Sequence, residues 1–203
     1  MSSLLIIKTT LFTIMYDLIL NNFAKHINLT PSEIEYVLPL FTFETVKKRT
    51  KLLNHGEVCR CVYFVNKGCL RLYRIDKAGR QHIISFMPED WWAVDIASFY
   101  GQSPAAHYID AIEETEVLTL TYHNQQLLYE QVPKFERFFR ILTQNGFILY
   151  QQRIMHSLSM SAEERYNLFR KRYPKLEPRI AQKDVAAYLG VTPVFVSVLR
   201  KRR

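Results

Sequence analysis

The chain has 203 residues, a formal net charge of +8, 48% hydrophobic and 13% aromatic residues. This composition excludes a disordered chain and allows one large domain or two small ones. Three cysteines, Cys59, Cys61 and Cys69, are too few for a disulfide framework, so a reducing, cytoplasmic setting is expected.

In chain order, the first apolar stretch (residues 3–20) is interrupted by Lys8 and Asp17. A charge at the centre of a bilayer costs about 2.5–3.5 kcal/mol, so no membrane span is expected. No basic residue precedes the apolar run, which argues against a signal peptide. Residues 1–14 read as an unstructured extension or a misassigned start, because Met15 opens a better amphipathic pattern. A helix is predicted from Met15 to His26. Thr30-Pro31-Ser32-Glu33 is a capping box with proline at the first helical position, and the helix it opens should end near Leu40.

The periodicity then changes. Phe41–Arg49, Val62–Val65, Cys69–Asp76, Arg80–Met87, Tyr108–Ile112 and Glu116–Thr121 read as strands, punctuated by Asn66-Lys67-Gly68 and by the hairpin turn Asp76-Lys77-Ala78-Gly79. Around eight strands at this spacing predict a closed roll or jelly roll. Buried strands also account for the cysteines better than an incomplete metal site does.

Beyond Tyr122 the pattern is helical: Asn124–Gln131, then a long helix from Pro133 to Leu158. On the long helix Phe135, Phe138, Leu142 and Leu149 fall near one face, and Ile141, Ile148 and Met155 recur every seven residues on another. Two apolar faces need two partners. The roll can cover one. The same helix of a second subunit is expected to cover the other, as a short coiled coil. Phe138, Ile141, Leu142, Ile148 and Met155 are therefore the candidate dimer residues. Ser161-Ala162-Glu163-Glu164 is a second capping box, opening a helix that stops before Pro174.

Residues 161–203 hold 11 Lys/Arg and 4 Asp/Glu, against 16 and 15 in residues 1–160. This basic segment also spells helix, glycine turn, helix: Gln182–Leu189, Gly190 and Thr192–Arg203. Gly190 suits a left-handed C-cap, Thr192 an N-cap and Pro193 a first turn. Val196 and Leu199 should face the core, with Val194, Ser197, Val198 and Lys201 outward. A positive field on a helix-turn-helix pattern fits double-stranded DNA. The start of the second helix (Thr192, Pro193, Val194) and its outward face meet base edges. Lys183, Arg200, Lys201, Arg202 and Arg203 are placed for phosphates. Val194 and Val198 offer only methyl contacts, so one subunit should read sequence weakly.

The order of parts resembles the Crp/Fnr family of transcription regulators. The resemblance runs from about Met15 to Arg203. It is carried by Gly56-Glu57 with Val62–Tyr73, by Met87–Asp95, and by Ser161–Tyr173 with Val185–Arg202; the last pair is similar to a branch whose chain stops just after the recognition helix. It implies an α+β chain: an N-terminal jelly-roll or β-roll sensory domain (15–132), a connecting dimerisation helix (133–158) and a helix-turn-helix domain (159–203), winged-helix-like without a C-terminal wing. It implies a homodimer on a palindromic site, with RNA polymerase as a further partner.

The resemblance does not extend to cyclic AMP. Members that bind cyclic nucleotides use a Gly-Glu pair for the ribose and an Arg-Ser or Arg-Thr pair for the phosphate. Here those positions read Val94-Asp95 and Ala105-Ala106, a degenerate pocket. Without an arginine the phosphate has no charge-assisted bidentate partner, and a buried, uncompensated anion is costly. The iron–sulfur members cluster cysteines near the N-terminus, whereas this sequence has none before Cys59; His82 and His107 are conceivable haem ligands in the roll but read better as structural or surface residues. No cofactor, metal or catalytic residue is expected, since no phosphate loop, zinc-spaced set or nucleophile elbow is present.

Overall fold

The computed structural model describes residues 15–201. The expectation for residues 1–14, and those for Arg202 and Arg203, lie outside them. Helix α1 (residues 15–24) leads to α2 (Pro31–Val37), where Thr30 and Glu33 form the expected reciprocal capping box. A 3-10 turn, Leu38–Leu40, then enters the roll.

Eight strands make the roll: β1 (Phe41–Val46), β2 (Lys51–Leu53), β3 (Cys61–Lys67), β4 (Cys69–Ile75), β5 (Gln81–Pro88), β6 (Trp92–Ala93), β7 (Tyr108–Ala111) and β8 (Thr115–Thr121). They pair antiparallel in two four-stranded sheets of order β1-β8-β3-β6 and β2-β7-β4-β5. The β3–β4 turn depends on Gly68. Its φ is +89°, and a Cβ there would sit 2.6 Å from the Glu114 carbonyl oxygen. Short β2 and β6 and helix α3 (Ile96–Gly101) have no counterpart among the predicted elements, because so few residues display no period.

Helix α4 (Tyr122–Gln131) is followed by α5 (Lys134–Ser159), 26 residues and so about 39 Å long at 1.5 Å per residue. The first turns of α5 belong to the main core. Phe135 and Phe138 are fully buried there, with Phe138 packed edge-on against Phe23 at 5.1 Å and against Trp92 at 5.8 Å. This corrects the expectation for Phe138: a side chain without exposed surface in its own subunit has nothing to offer a second one. Leu142 likewise packs against this core, and Ile141 is half-buried. Ile148 and Met155 are exposed, as a dimer face requires. Phe147, Ile154 and Leu158 are more exposed still, at 68%, 60% and 77%, and extend the apolar face beyond the residues picked from the heptad.

The C-terminal module comprises α6 (Ala162–Arg172), a 3-10 turn (Glu177–Arg179), α7 (Gln182–Leu189) and α8 (Pro193–Lys201). It has its own core, and that core reaches into the roll: Ile83 and Phe86 of β5 pack with Phe169, Tyr173, Val185 and Leu189. Among the described residues no helix is long and apolar enough to cross a membrane.

Candidate nucleic-acid interface and ligand pocket

The terminal helix pair is built by the local signals read from the sequence. Gly190 ends α7 with φ +71°, a conformation in which a Cβ is unfavourable. The Thr192 hydroxyl accepts from the Phe195 amide at 3.3 Å and caps α8. Val196 and Leu199 are buried against Val185, Ala186 and Leu189. Lys183, Thr192, Pro193, Val194, Val198 and Lys201 are exposed and Ser197 half-exposed. These seven residues are thus all accessible, Lys183 on α7 and the others on α8 and the turn before it. Phe195, which sequence reasoning had not placed outward, is 38% exposed beside them.

Arg200 does not join that face. Its Nε lies 3.4 Å from Glu177 Oε1 and its Nη2 donates to the Glu177 carbonyl at 3.2 Å. Glu177 is buried and also receives Tyr166 and Arg170, so a carboxylate inside the module claims the guanidinium expected at a phosphate.

The module is docked on its own roll through α6 and α7. Two ion networks hold it. Arg71 of β4 donates from Nε and Nη2 to Asp110 of β7 at 2.7 and 2.9 Å, and from Nη1 to Asp184 of α7 at 2.8 Å. Burial alone would lower the guanidinium's proton affinity, but the two carboxylates outweigh it and raise its pKa. Arg179 forks onto Glu89, with Nη2 to Oε1 at 2.7 Å and Nη1 to Oε2 at 3.1 Å, and also onto Glu113. No sequence signal announces these contacts, since the partners stand 113 and 90 positions apart.

At the positions expected to form a degenerate pocket, both carboxylate oxygens of Asp95 have partners. One carboxylate oxygen caps α3 by accepting from the Ser98 amide at 3.2 Å, and the other accepts from His107 Nδ1 at 2.8 Å. Ala105 is buried, with its amide bonded to the Glu57 carbonyl and its own carbonyl to the Gly56 amide. Ala106 is exposed. Val94 lines a separate cavity of about 270 Å³ between the roll and α5, bounded by Leu72, Trp92, Phe139 and Leu149. Asp90, Arg153 and Arg172 also line it. His82 is paired with Asp76 at 2.9 Å. Cys59 and Cys69 are buried, and burial pushes the Cys59 thiol up to about 11. Among the described residues no group of three or more His, Cys, Asp or Glu could hold a metal ion.

An antiparallel roll is thus followed by a long helix and a compact helical module. Residues 43–131 match the cyclic nucleotide-binding domain family. The chain shares its fold with a structure assigned to the Crp/Fnr family of transcriptional regulators. It is 27% identical over 169 residues to the anaerobic regulatory protein of Pasteurella multocida, covering 77% of this chain but only 61% of that protein's length. Solved structures with the same fold include the c-di-GMP-responsive global regulator CLP of Xanthomonas campestris (TM-score 0.70, 12% identity, 85% of this chain and 91% of that one). Catabolite activator protein of Thermus thermophilus is another (TM-score 0.56, 20% identity, 86% and 84%). A CooA variant from Carboxydothermus hydrogenoformans is a third (TM-score 0.65, 17% identity, 87% and 85%).

Proposed function

We propose that the chain is a dimeric, sequence-specific DNA-binding transcription regulator, cytoplasmic and non-enzymatic, that does not respond to cyclic AMP. The observation that carries this reading is the orientation of α8. Its inner face is buried with α7, whereas Thr192, Val194, Val198 and Lys201 remain exposed on a module that also presents Lys183. The domain limits follow as 15–132 for the roll, 133–158 for the connecting helix and 159–203 for the DNA module. The exposed apolar stripe of α5 supplies the homodimer contact, and two recognition helices then face half-sites about 34 Å apart, one helical turn of DNA. The reading on cyclic AMP is supported by the consumption of Asp95 by Ser98 and His107 and by alanine at the phosphate position.

Selection of bound duplexes from a random pool tests the proposal. A palindrome bound about 10³-fold or more above random duplex is expected, and the selected duplex should bind equally with and without cyclic AMP. A preference below about tenfold would favour a second reading, supported by Val194, Phe195 and Val198. In that reading a degenerate cyclic nucleotide-binding-like module serves protein interaction and touches DNA only nonspecifically.

A further inference from the structure

Seven described arginines are half-buried. Arg71, Arg170, Arg179 and Arg200 each contact a carboxylate. Arg153, Arg165 and Arg172 contact none among the described residues, and these three converge on one place. They line a cleft of about 1000 Å³ between α5, α6, α7 and β5, together with Lys171 and with no Asp or Glu. The adjoining 270 Å³ cavity contains one carboxylate, Asp90, already engaged by Lys25 and Asn22.

The three arginines are held but not neutralised. Arg153 donates to the carbonyls of Ile83, Ile84 and Tyr188 and lies 3.9 Å from the centre of the Tyr188 ring. Arg165 donates to the carbonyls of Met160 and Leu189. Arg172 lies over the Trp91 ring at 5.5 Å. The Nε atoms of Arg165 and Arg172 are buried with no hydrogen-bond partner, which is costly for a charged donor unless something else completes it. Carbonyl dipoles and ring faces orient a guanidinium without removing its charge, so like charges oppose one another across a partly desolvated cleft. Elsewhere in this fold half-buried arginines receive a protein carboxylate; here the counter-charge has to come from outside.

We propose that this cleft binds a small multivalent organic anion, its negative oxygens held by Arg165, Arg172 and Lys171 and its apolar or ring-shaped body lying against Trp91 and Tyr188. Forked guanidinium groups suit planar or tetrahedral oxyanions, and the volume is at the upper end for a small-molecule site. Because α6 and α7 belong to the DNA module while α5 and β5 do not, the occupant ties the module to the rest of the chain. That regulatory consequence rests on the DNA-binding reading; the binding does not.

Calorimetric titration of the full chain with inorganic pyrophosphate and with citrate, at constant ionic strength set by sodium chloride, tests the site. One of the two should bind saturably with Kd below about 1 mM, a modest affinity. Arg172→Gln and Arg165→Gln should each weaken it about tenfold, and Arg60→Gln, exposed on the roll, should not. If a glutamine variant melts early, the lysine variants, which keep the charge but lose the fork, should weaken binding by several-fold. Absence of saturable binding by both probes, or binding unchanged in the Arg165 and Arg172 variants, overturns the proposal. So does a loss of random-duplex affinity in these variants as large as in Lys201→Ala, which would put the cleft in the path of DNA. Pyrophosphate or citrate binding without any duplex binding would instead sink the DNA reading and leave the anion site standing.

Discussion

Arg71 and Asp184 are joined at 2.8 Å across the boundary between the roll and the terminal module, and the same guanidinium grips Asp110 from its other edge. All three side chains are at least 87% removed from solvent. Breaking a buried ion set by removing one member typically costs about 3–5 kcal/mol, because the remaining charges stay buried unpaired. Arg71→Leu should destabilise the chain by this order in urea unfolding. Asp184→Asn, which keeps the Arg71–Asp110 pair, should cost less and loosen mainly the module, seen as faster amide exchange in α7.

Acid should loosen the second clamp. Burial acts to raise the Glu89 carboxyl, but hydrogen bonds from Arg179 and the Gly68 amide outweigh it and hold the pKa below 4.5. A depressed carboxylate contributes stability that is complete above its unfolded pKa and is lost as pH falls through the folded one. Between pH 6 and pH 3 the environment of Trp91, against which Tyr173 packs at 5.7 Å, should change as the module loosens. Fluorescence should show a transition below about pH 4.5, and Arg179→Gln should remove most of it.

On α5, Ile154→Lys or Leu158→Lys should halve the mass seen in sedimentation without unfolding the chain, since both side chains are exposed in the single subunit. Phe138→Ala should behave oppositely, costing about 3–5 kcal/mol of stability through cavity formation. A variant pair in which the lysine substitutions leave the mass unchanged would remove α5 as the interface.

For DNA contact, Lys201→Ala and Lys183→Ala should each weaken binding across sequences and reduce the slope of log K against log salt by about 1. Arg200→Ala should leave that slope alone and lower the melting temperature instead, because its partner is Glu177.

Thiol chemistry should be slow. A thiol whose pKa is pushed up to about 11 carries little thiolate at neutral pH, and Cys61 and Cys69 are shifted in the same direction by burial. Iodoacetamide at pH 7.5 should label the native chain more than about tenfold slower than the unfolded one, in which ordinary thiols titrate near pH 8.5.

Much of the fold was legible because it is written locally. Thr30 and Ser161 open helices with side-chain caps, Gly190 ends one, and strands between turn residues alternate or run apolar; all of these act within a few positions. The exposed apolar stripe of α5 was only half legible. Phe138 and Ile148 share helical apolarity, and spacing does not say which side meets the roll, so Phe138 was misassigned while Phe147, Ile154 and Leu158 were passed over. Arg200 was misread for the related reason that a basic residue in the last turn of α8 carries no mark of the carboxylate it will meet. The Arg71 and Arg179 clamps and the unpaired arginines of the cleft were invisible, since each depends on residues brought together only by the complete fold.

The burial of Ala105 has a consequence for engineering. Its backbone amide and carbonyl bond to Glu57 and Gly56 and the residue is 2% exposed, so arginine there would force a long cation into a buried position instead of creating a receptor for a sugar phosphate. On the proposed reading, installing a cyclic-nucleotide phosphate site would mean rebuilding the loop after α3 and freeing Asp95 from His107 together.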